Sequence, residues 1–310
     1  MEPTIELREL RIFLVLADEL HFGRTAVRLG LTQSSVSQSV RALERKLGGE
    51  LAHRTSRRVT LTVLGEQLRA ELQPAYTHLL EVLERARSAN GELDGVLRLG
   101  IYGVAGGARL RSIVAAFEER YVGCHVEISD LPIANPLEPL RRGEVEVIAM
   151  RLPLDQPDLV VGPVLTREPR VLAVAADHPL AARDRVSIED VADYAVLPMN
   201  AEPREMLEAL IPRQTPGGRP IRRLPRTAGS VFQVSELIAR GQIVHPTVPA
   251  AVDALGSRGI VYVPIADLPH SRTALVWRRR STAPRLREFV AVAREQARRS
   301  SHRRGTDFTL

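Results

Sequence analysis

The sequence predicts an α/β protein whose N-terminal section is helical apart from one small hairpin. Three observations carry this. Apolar residues recur at helical spacing through the first 48 residues and again from Thr62 to Ala89. Beyond Asn90-Gly91, short strand-like runs alternate with helical patterns. The 310 residues are too many for one small core, so two or three domains are expected.

Leu7, Leu10, Phe13, Leu14 and Ala17 place the first helix over roughly Ile5 to Glu19. A short second helix, Arg24 to Leu29, turns Ala26 and Leu29 inward, and Leu31-Thr32 forms the turn after it. The third helix lies in LTQSSVSQSVRALERKLG, Leu31 to Gly48. At the α-helical advance of about 100° per residue, Val36, Val40, Leu43 and Leu47 share one narrow stripe. Ser34, Gln38, Arg41 and Arg45 gather on the opposite side. Thr32 is the expected N-cap and Gly48-Gly49 the stop. Two short helices around a tight turn, the second opening with small polar residues, make a helix-turn-helix arrangement. HRTSRRVTLT then alternates and turns around Ser56-Arg57, which predicts a hairpin or wing with Val59 and Leu61 inward.

From Thr62 to Ala89 a long helix is expected, with Leu64, Leu68, Leu72, Tyr76, Leu79, Leu83 and Ala86 on one side. Such a stripe needs a partner, and a second copy of the chain is the simplest one. Pro74 should bend this helix. Next, VLRLGIY, HVEISDL and VEVIAMRL read as strands, with a helix carrying Leu110, Ile113, Val114 and Phe117 between the first two. This βαβ grammar predicts a largely parallel sheet. A second set follows: VLAVAA, a helix opened by Ser187-Ile188-Glu189-Asp190, and YAVLPM. SVFQVSELIARG reads as a helix ended by Gly241, then QIVHPTV, IVYVPI and TALVWRR as strands and RLREFVAVAREQAR as a closing helix. SSHRRGTDFTL reads as disordered.

The net charge of +6 suggests a polyanionic partner without locating it. Residues 20–60 hold a surplus of six positive charges and residues 278–310 a surplus of seven, so charge alone favours neither end. Cys124 is the only cysteine, which excludes intrachain disulfides and cysteine metal clusters. With an acidic start, MEPTIELREL, and no apolar run long enough to span a bilayer, the expected compartment is the cytoplasm, with no membrane partner. Lys46 is the only lysine, which reads as codon bias. The eight histidines are scattered, with no HExxH, and GxSxG and dinucleotide or P-loop fingerprints are missing, so no catalytic or metal-ligating residue is expected. Cys124 reads as a buried thiol, His178 as a turn residue and His245 as a packed or capping residue.

ELHFGRTAVRLGLTQSSVSQSVRALERKLGGEL and HRTSRRVTLTVLG resemble the LysR-type transcriptional regulators, as do GVLRLG, DHPLA and ELIARG further on. The resemblance covers nearly the whole chain. It implies a winged helix-turn-helix over residues 1–61, a dimerising linker helix over 62–90 and a two-lobed effector domain over 91–300, like a periplasmic binding protein. Lobe I would take 91–163 and 268–300, lobe II 164–267, leaving 301–310 as a disordered basic tail. The implied partners are double-stranded DNA, a second chain (homodimer or homotetramer), a small-molecule effector and, for an activator, RNA polymerase. No bound cofactor is implied beyond that non-covalent effector. The chain departs from the family pattern at Ser34, where proline is usual, at Ala52, where a bulky aromatic is usual, and at Thr25, where alanine is common.

Amides and hydroxyls at the start of a recognition helix can read base edges in the major groove. Gln33 and Ser34, with Ser37 and Gln38 beside them, are therefore the candidate base contacts. Arg41 and Arg45 lie further along and suit phosphates, and the wing arginines Arg54, Arg57 and Arg58 suit phosphate or minor groove. Effector candidates lie at strand ends and helix starts facing the interlobe cleft: Tyr102, Gly103, Val104 and Ala105 in one loop, with Arg151, Asn200 and Ser230. Two other readings stay open at this point. One is a binding module or enzyme whose N-terminal helices serve assembly alone; the other makes the basic tail the nucleic-acid contact.

Overall fold

The structure is a computed structural model that describes residues 4–54, 59–88, 93–197, 203–225, 230–256 and 258–303. The chain divides into two compact units, Met1–Leu80 and Glu81–Leu310. In the first, α1 (Leu7–Glu19), α2 (Phe22–Leu29) and α3 (Gln33–Leu47) precede a two-stranded ribbon, β1 (Ala52–Arg54) and β2 (Val59–Leu61), paired antiparallel. α4 (Val63–Ser88) then runs unbroken through Pro74. His21 caps α2, its Nδ1 accepting from the amides of Gly23 and Arg24 at 3.0 and 3.2 Å. Thr32 caps α3 by accepting from the Ser35 amide, and Gly48 ends it in the left-handed conformation.

The expected stripe of α3 closes on Val36, Val40 and Leu43, which are fully buried with Ile12, Phe13 and Leu16. Leu47 departs from it: the helix ends there and its side chain is 38% exposed. Thr25 is buried because its Oγ1 donates to the His21 carbonyl at 2.9 Å, while Ala52 fills a place in the core with Val36 and Val40. Lys46, unremarkable in the sequence, ties α3 to α1: its Nζ lies 2.7 and 2.8 Å from the two carboxylate oxygens of Glu9. Burial works to raise the Glu9 carboxyl, but the Lys46 ammonium and the Glu6 amide outweigh it and hold it below the ordinary range.

The linker stripe is corrected in its first half. Leu68, Leu72 and Tyr76 pack against Phe13, Leu14, Leu43 and Leu51 of the same chain, so α4 needs no partner there. Close approach makes this possible: a Cβ on Gly65 would stand 2.1 Å from the Leu51 carbonyl oxygen. Leu64, Leu80, Val82 and Leu83 remain exposed.

In the second unit, the chain continues through β3 (Gly95–Ile101), α5 (Gly107–Arg120), β4 (Cys124–Asp130), α6 (Glu138–Arg142), β5 (Val147–Arg151) and β6 (Leu159–Glu168). Then come β7 (Arg170–Ala175), α7 (Ile188–Val191), β8 (Ala195–Val196), α8 (Arg204–Leu210), β9 (Arg222–Arg223), α9 (Val231–Ala239) and β10 (His245–Thr247). α10 (Val252–Leu255), β11 (Ile260–Ile265), β12 (Ser271–Arg278) and α11 (Pro284–Arg303) complete it. One five-stranded sheet has the order β4-β3-β5-β12-β6 and one three-stranded sheet the order β10-β7-β11. β5 shows the period of two: Val147 and Ala149 join the cluster under α5 and α11, while Ile148 and Met150 join the opposite one. Phe117 and Phe289 meet edge to face at 5.3 Å in the first cluster, where Cys124 is also buried.

Several expectations are corrected here. Parallel pairing holds for β4, β3 and β5 and for the short pair β8 and β9; β12 pairs antiparallel with β5 and β6, and β7 pairs antiparallel with both its neighbours. β6 runs past the lobe boundary expected at 163/164, so the first sheet keeps the chain to Glu168. α11 continues to Arg303, so residues 301–303 are helical rather than disordered, and 304–310 lie outside the described residues.

Two crossovers join the sheets. Pro169 alone separates β6 from β7, and a five-residue segment, 266–270, separates β11 from β12. They set the geometry of everything between the lobes.

Candidate nucleic-acid face and interlobe cavity

α3 turns Gln33, Ser34, Gln38, Arg41 and Arg45 outward as expected, and Ser37 is half-buried beside them. The Ser34 hydroxyl lies 2.9 Å from Thr32 Oγ1, so it belongs to the cap of this helix as well as to its face. Glu44, the acid of α3, is turned inward, accepting from the Leu51 amide at 3.0 Å. The exposed face is therefore polar at its start and purely basic further on. α2 contrasts with it: Arg24 and Arg28 are held by Glu19 at 3.2 and 3.1 Å. Arg54 ends β1, while Arg57 and Arg58, the other wing candidates, lie outside the described residues.

In the second unit a cavity of about 130 Å³ opens between the two sheets. Tyr102, Gly103, Val104, Arg151 and Ser230 line it, as the sequence suggested. Ala105 does not: it is 2% exposed and packs with Leu110 and Ile113 in the cluster under α5. The loop winds toward the positive-φ Gly106 that opens α5, and this turns the Ala105 methyl into the core. Asn200 lies outside the described residues. Ser230 caps α9, its hydroxyl accepting from the Gln233 amide at 3.3 Å. Ile133, Met206, Leu207, Val234 and Leu255 make the wall apolar.

One polar group of the cavity lacks a partner among the described residues. His245, in β10, is buried, and its Nδ1 has no hydrogen-bond partner. Burial, then the positive charges of Arg151 and Arg170, push its imidazole down to about 4, so it is neutral at pH 7. Burial also lowers the Arg151 guanidinium, against the pull of Glu168. Arg170, behind the wall, is 3% exposed and donates to three carbonyls: Nε to Thr247 at 3.2 Å, Nη1 to Ala209 at 2.9 Å and Nη2 to Leu210 at 2.6 Å. Burial and then Arg151 bring it down to about 10, so it stays charged at pH 7. The result is an apolar pocket with a positive field and an unused imidazole nitrogen. An anionic group on a mostly apolar molecule satisfies both. His245 and Thr247 escaped sequence reading; a lone histidine in the otherwise apolar run QIVHPTV was the signal. His178 serves as the turn residue expected of it, its Nδ1 accepting from the Leu180 amide at 3.2 Å.

Fold and site together define a class: a helix-turn-helix unit with a polar and basic recognition face, followed by a two-lobed ligand-binding domain. Residues 7–66 match the model for bacterial regulatory helix-turn-helix proteins of the lysR family, and residues 90–298 match the LysR substrate binding domain. The chain belongs to the LysR family of transcriptional regulators, with an N-terminal DNA-binding domain and a C-terminal effector-binding domain. It is similar to the HTH-type transcriptional regulator AlsR of Bacillus subtilis, with 27% identity over 96% of this chain and 98% of that one. Among solved structures, full-length OxyR from Pseudomonas aeruginosa matches with a TM-score of 0.68 and 25% identity, covering 95% of each chain. CbnR in complex with its target DNA shares the fold, with a TM-score of 0.65 and 21% identity over 94% of this chain and 99% of that one.

Proposed function

We propose that this protein is a sequence-specific regulator that binds double-stranded DNA in the cytoplasm and responds to a small, largely apolar acid held between its lobes. The observation that carries the DNA half is the outward face of α3, polar at its first turn and basic beyond, with its one acid turned inward. Gln33, Ser34, Ser37 and Gln38 read base edges; Arg41 and Arg45, with Arg54, Arg57 and Arg58 of the wing, hold phosphates. Gln33 carries the sharpest expectation because Ser34 shares its hydroxyl with the cap. The working form is a homodimer or homotetramer joined through the exposed Leu80, Val82 and Leu83 of α4. RNA polymerase is a further partner if the protein activates. In the effector domain, Arg151 and His245 receive the acidic group, while the Tyr102–Val104 loop, Ser230 and the apolar wall receive the rest.

Fluorescence anisotropy on operator and scrambled duplexes across a salt series tests the DNA half. Gln33→Ala should cost about 1–3 kcal/mol on the operator alone, narrowing its margin over scrambled DNA. Arg45→Ala should weaken both duplexes alike and lower the salt slope by about one. Equal weakening of both duplexes by Gln33→Ala would show that this side chain reads no base.

A further inference from the structure

A second cavity, about 430 Å³, lies beside the first, shares Arg151, Met206 and Leu210 with it, and carries more basic side chains. Arg151 and Arg170 form its floor, and Arg167, His270 and Arg272 stand exposed at its rim. Among the described residues no aspartate or glutamate lines it. Arg167 and Arg272 sit directly opposite each other on β6 and β12, where like charges repel. Neither forms an ion pair among the described residues. Nearby carboxylates are engaged elsewhere: Glu205 accepts from the Asp155 amide at 3.2 Å, and Glu168, which acts on Arg151, lines the neighbouring α5 side instead. Four guanidinium groups around one hollow carry a standing electrostatic cost that a bound anion would remove.

Position adds to the charge. Arg167 and Arg170 flank Pro169, the first crossover between the sheets; His270 closes the second and Arg272 follows it in β12. The cavity therefore lies against both joints of the two-lobed domain.

We propose that this crossover cavity binds a small polyanion, a molecule carrying two or more carboxylate or phosphate groups, distinct from the acid in the interlobe cavity. Its volume lies in the range of ligand pockets, and the fork-shaped donors of Arg167 and Arg272 at its rim suit several oxygens at once. A hydrophobic monoacid would gain nothing from the exposed rim. Arg151 lines both cavities, so two anions bound together would share one guanidinium and each would weaken the other by the same factor.

The test is isothermal titration of the full chain with inorganic tripolyphosphate and, separately, with citrate, at constant ionic strength. Saturable binding of one molecule per chain is expected for at least one of them, and the pair tells phosphate from carboxylate preference. R167Q/R272Q should weaken it at least tenfold, the loss expected for charged hydrogen bonds from two side chains. The same double variant without anion should melt no lower than the parent, because it removes a repelling pair. R41Q/R45Q, on the helix-turn-helix, should leave the affinity unchanged. A loss confined to R41Q/R45Q would move the anion to the DNA face and overturn the proposal while sparing the DNA-binding reading. Equal affinity in all variants, or no saturable binding of either probe, overturns it as well.

Discussion

Arg41 and Arg45 stand in water on α3, whereas Arg170 is 3% exposed and Arg151 half-buried at the cleft. On the helix a cation keeps its hydration until DNA replaces it, costs the fold little and is screened by salt. At the cleft the solvation is already lost, and three backbone carbonyls with a distant carboxylate stand in for it. One molecule thus holds the same side chain in two ways: as a hydrated surface charge, and as a buried charge fixed by the backbone around it. The exposed kind should govern rate and salt dependence, the buried kind stability and specificity.

Arg170→Lys breaks the buried arm most severely. Lysine keeps the charge but cannot span three carbonyls, so at least two charged hydrogen bonds go, costing about 3–5 kcal/mol. Urea unfolding followed in the effector domain measures it; a loss below about 1 kcal/mol would mean that water serves those carbonyls equally well. His245 comes next. Its imidazole titrates near 4 in the fold against 6.5 in the unfolded chain, so the unfolded state gains a proton first as pH falls. Stability is full above about 6.5 and declines toward 4, by about 3 kcal/mol in all. His245→Gln should flatten that part of the stability–pH curve, and an unchanged slope would show that the ring is not the titrating group.

The smallest effect moves the comparison to α4 by placing a new charge on each side of the water boundary. Leu72→Asp, in the cluster with Phe13 and Leu43, should destabilise the N-terminal unit by about 2 kcal/mol from lost burial alone. Leu83→Asp, at a side chain 44% exposed, should leave stability within about 0.5 kcal/mol and act instead on assembly. Light scattering beside thermal melts separates the two outcomes.

The same contrast explains what was legible in the sequence. The stripe of α3 is local: Val36, Val40 and Leu43 declare their face within eight residues, and Thr32 and Gly48 mark the ends. β6 was hidden because Gly162 and Pro163 interrupt it. The glycine leaves room for the Trp277 ring, where a Cβ would come within 2.2 Å, and the proline falls among register shifts on an edge strand. α8, at seven residues, is too short to show a period. In the cavity, Tyr102 and Arg151 could be anticipated because each ends a strand that the sequence shows plainly. His245 could not, and neither could Arg170 and Arg272 of the neighbouring cavity, which the fold brings together from positions 102 residues apart. The linker sequence misleads because α4 carries one continuous stripe, and only folding shows that its first half meets the chain's own α1 and α3.

The Lys46–Glu9 pair has a chemical consequence for the whole molecule. The chain holds 43 basic side chains and a single lysine, so 42 are arginines. Acylation, which neutralises amines, finds one side-chain amine, and that one is already bridging α3 to α1. The modification would therefore leave the charge offered to DNA and to the crossover cavity intact. It would instead loosen the helix that presents Gln33. An amine-reactive reagent applied to this protein would report on the seating of its recognition helix and be nearly blind to its electrostatics.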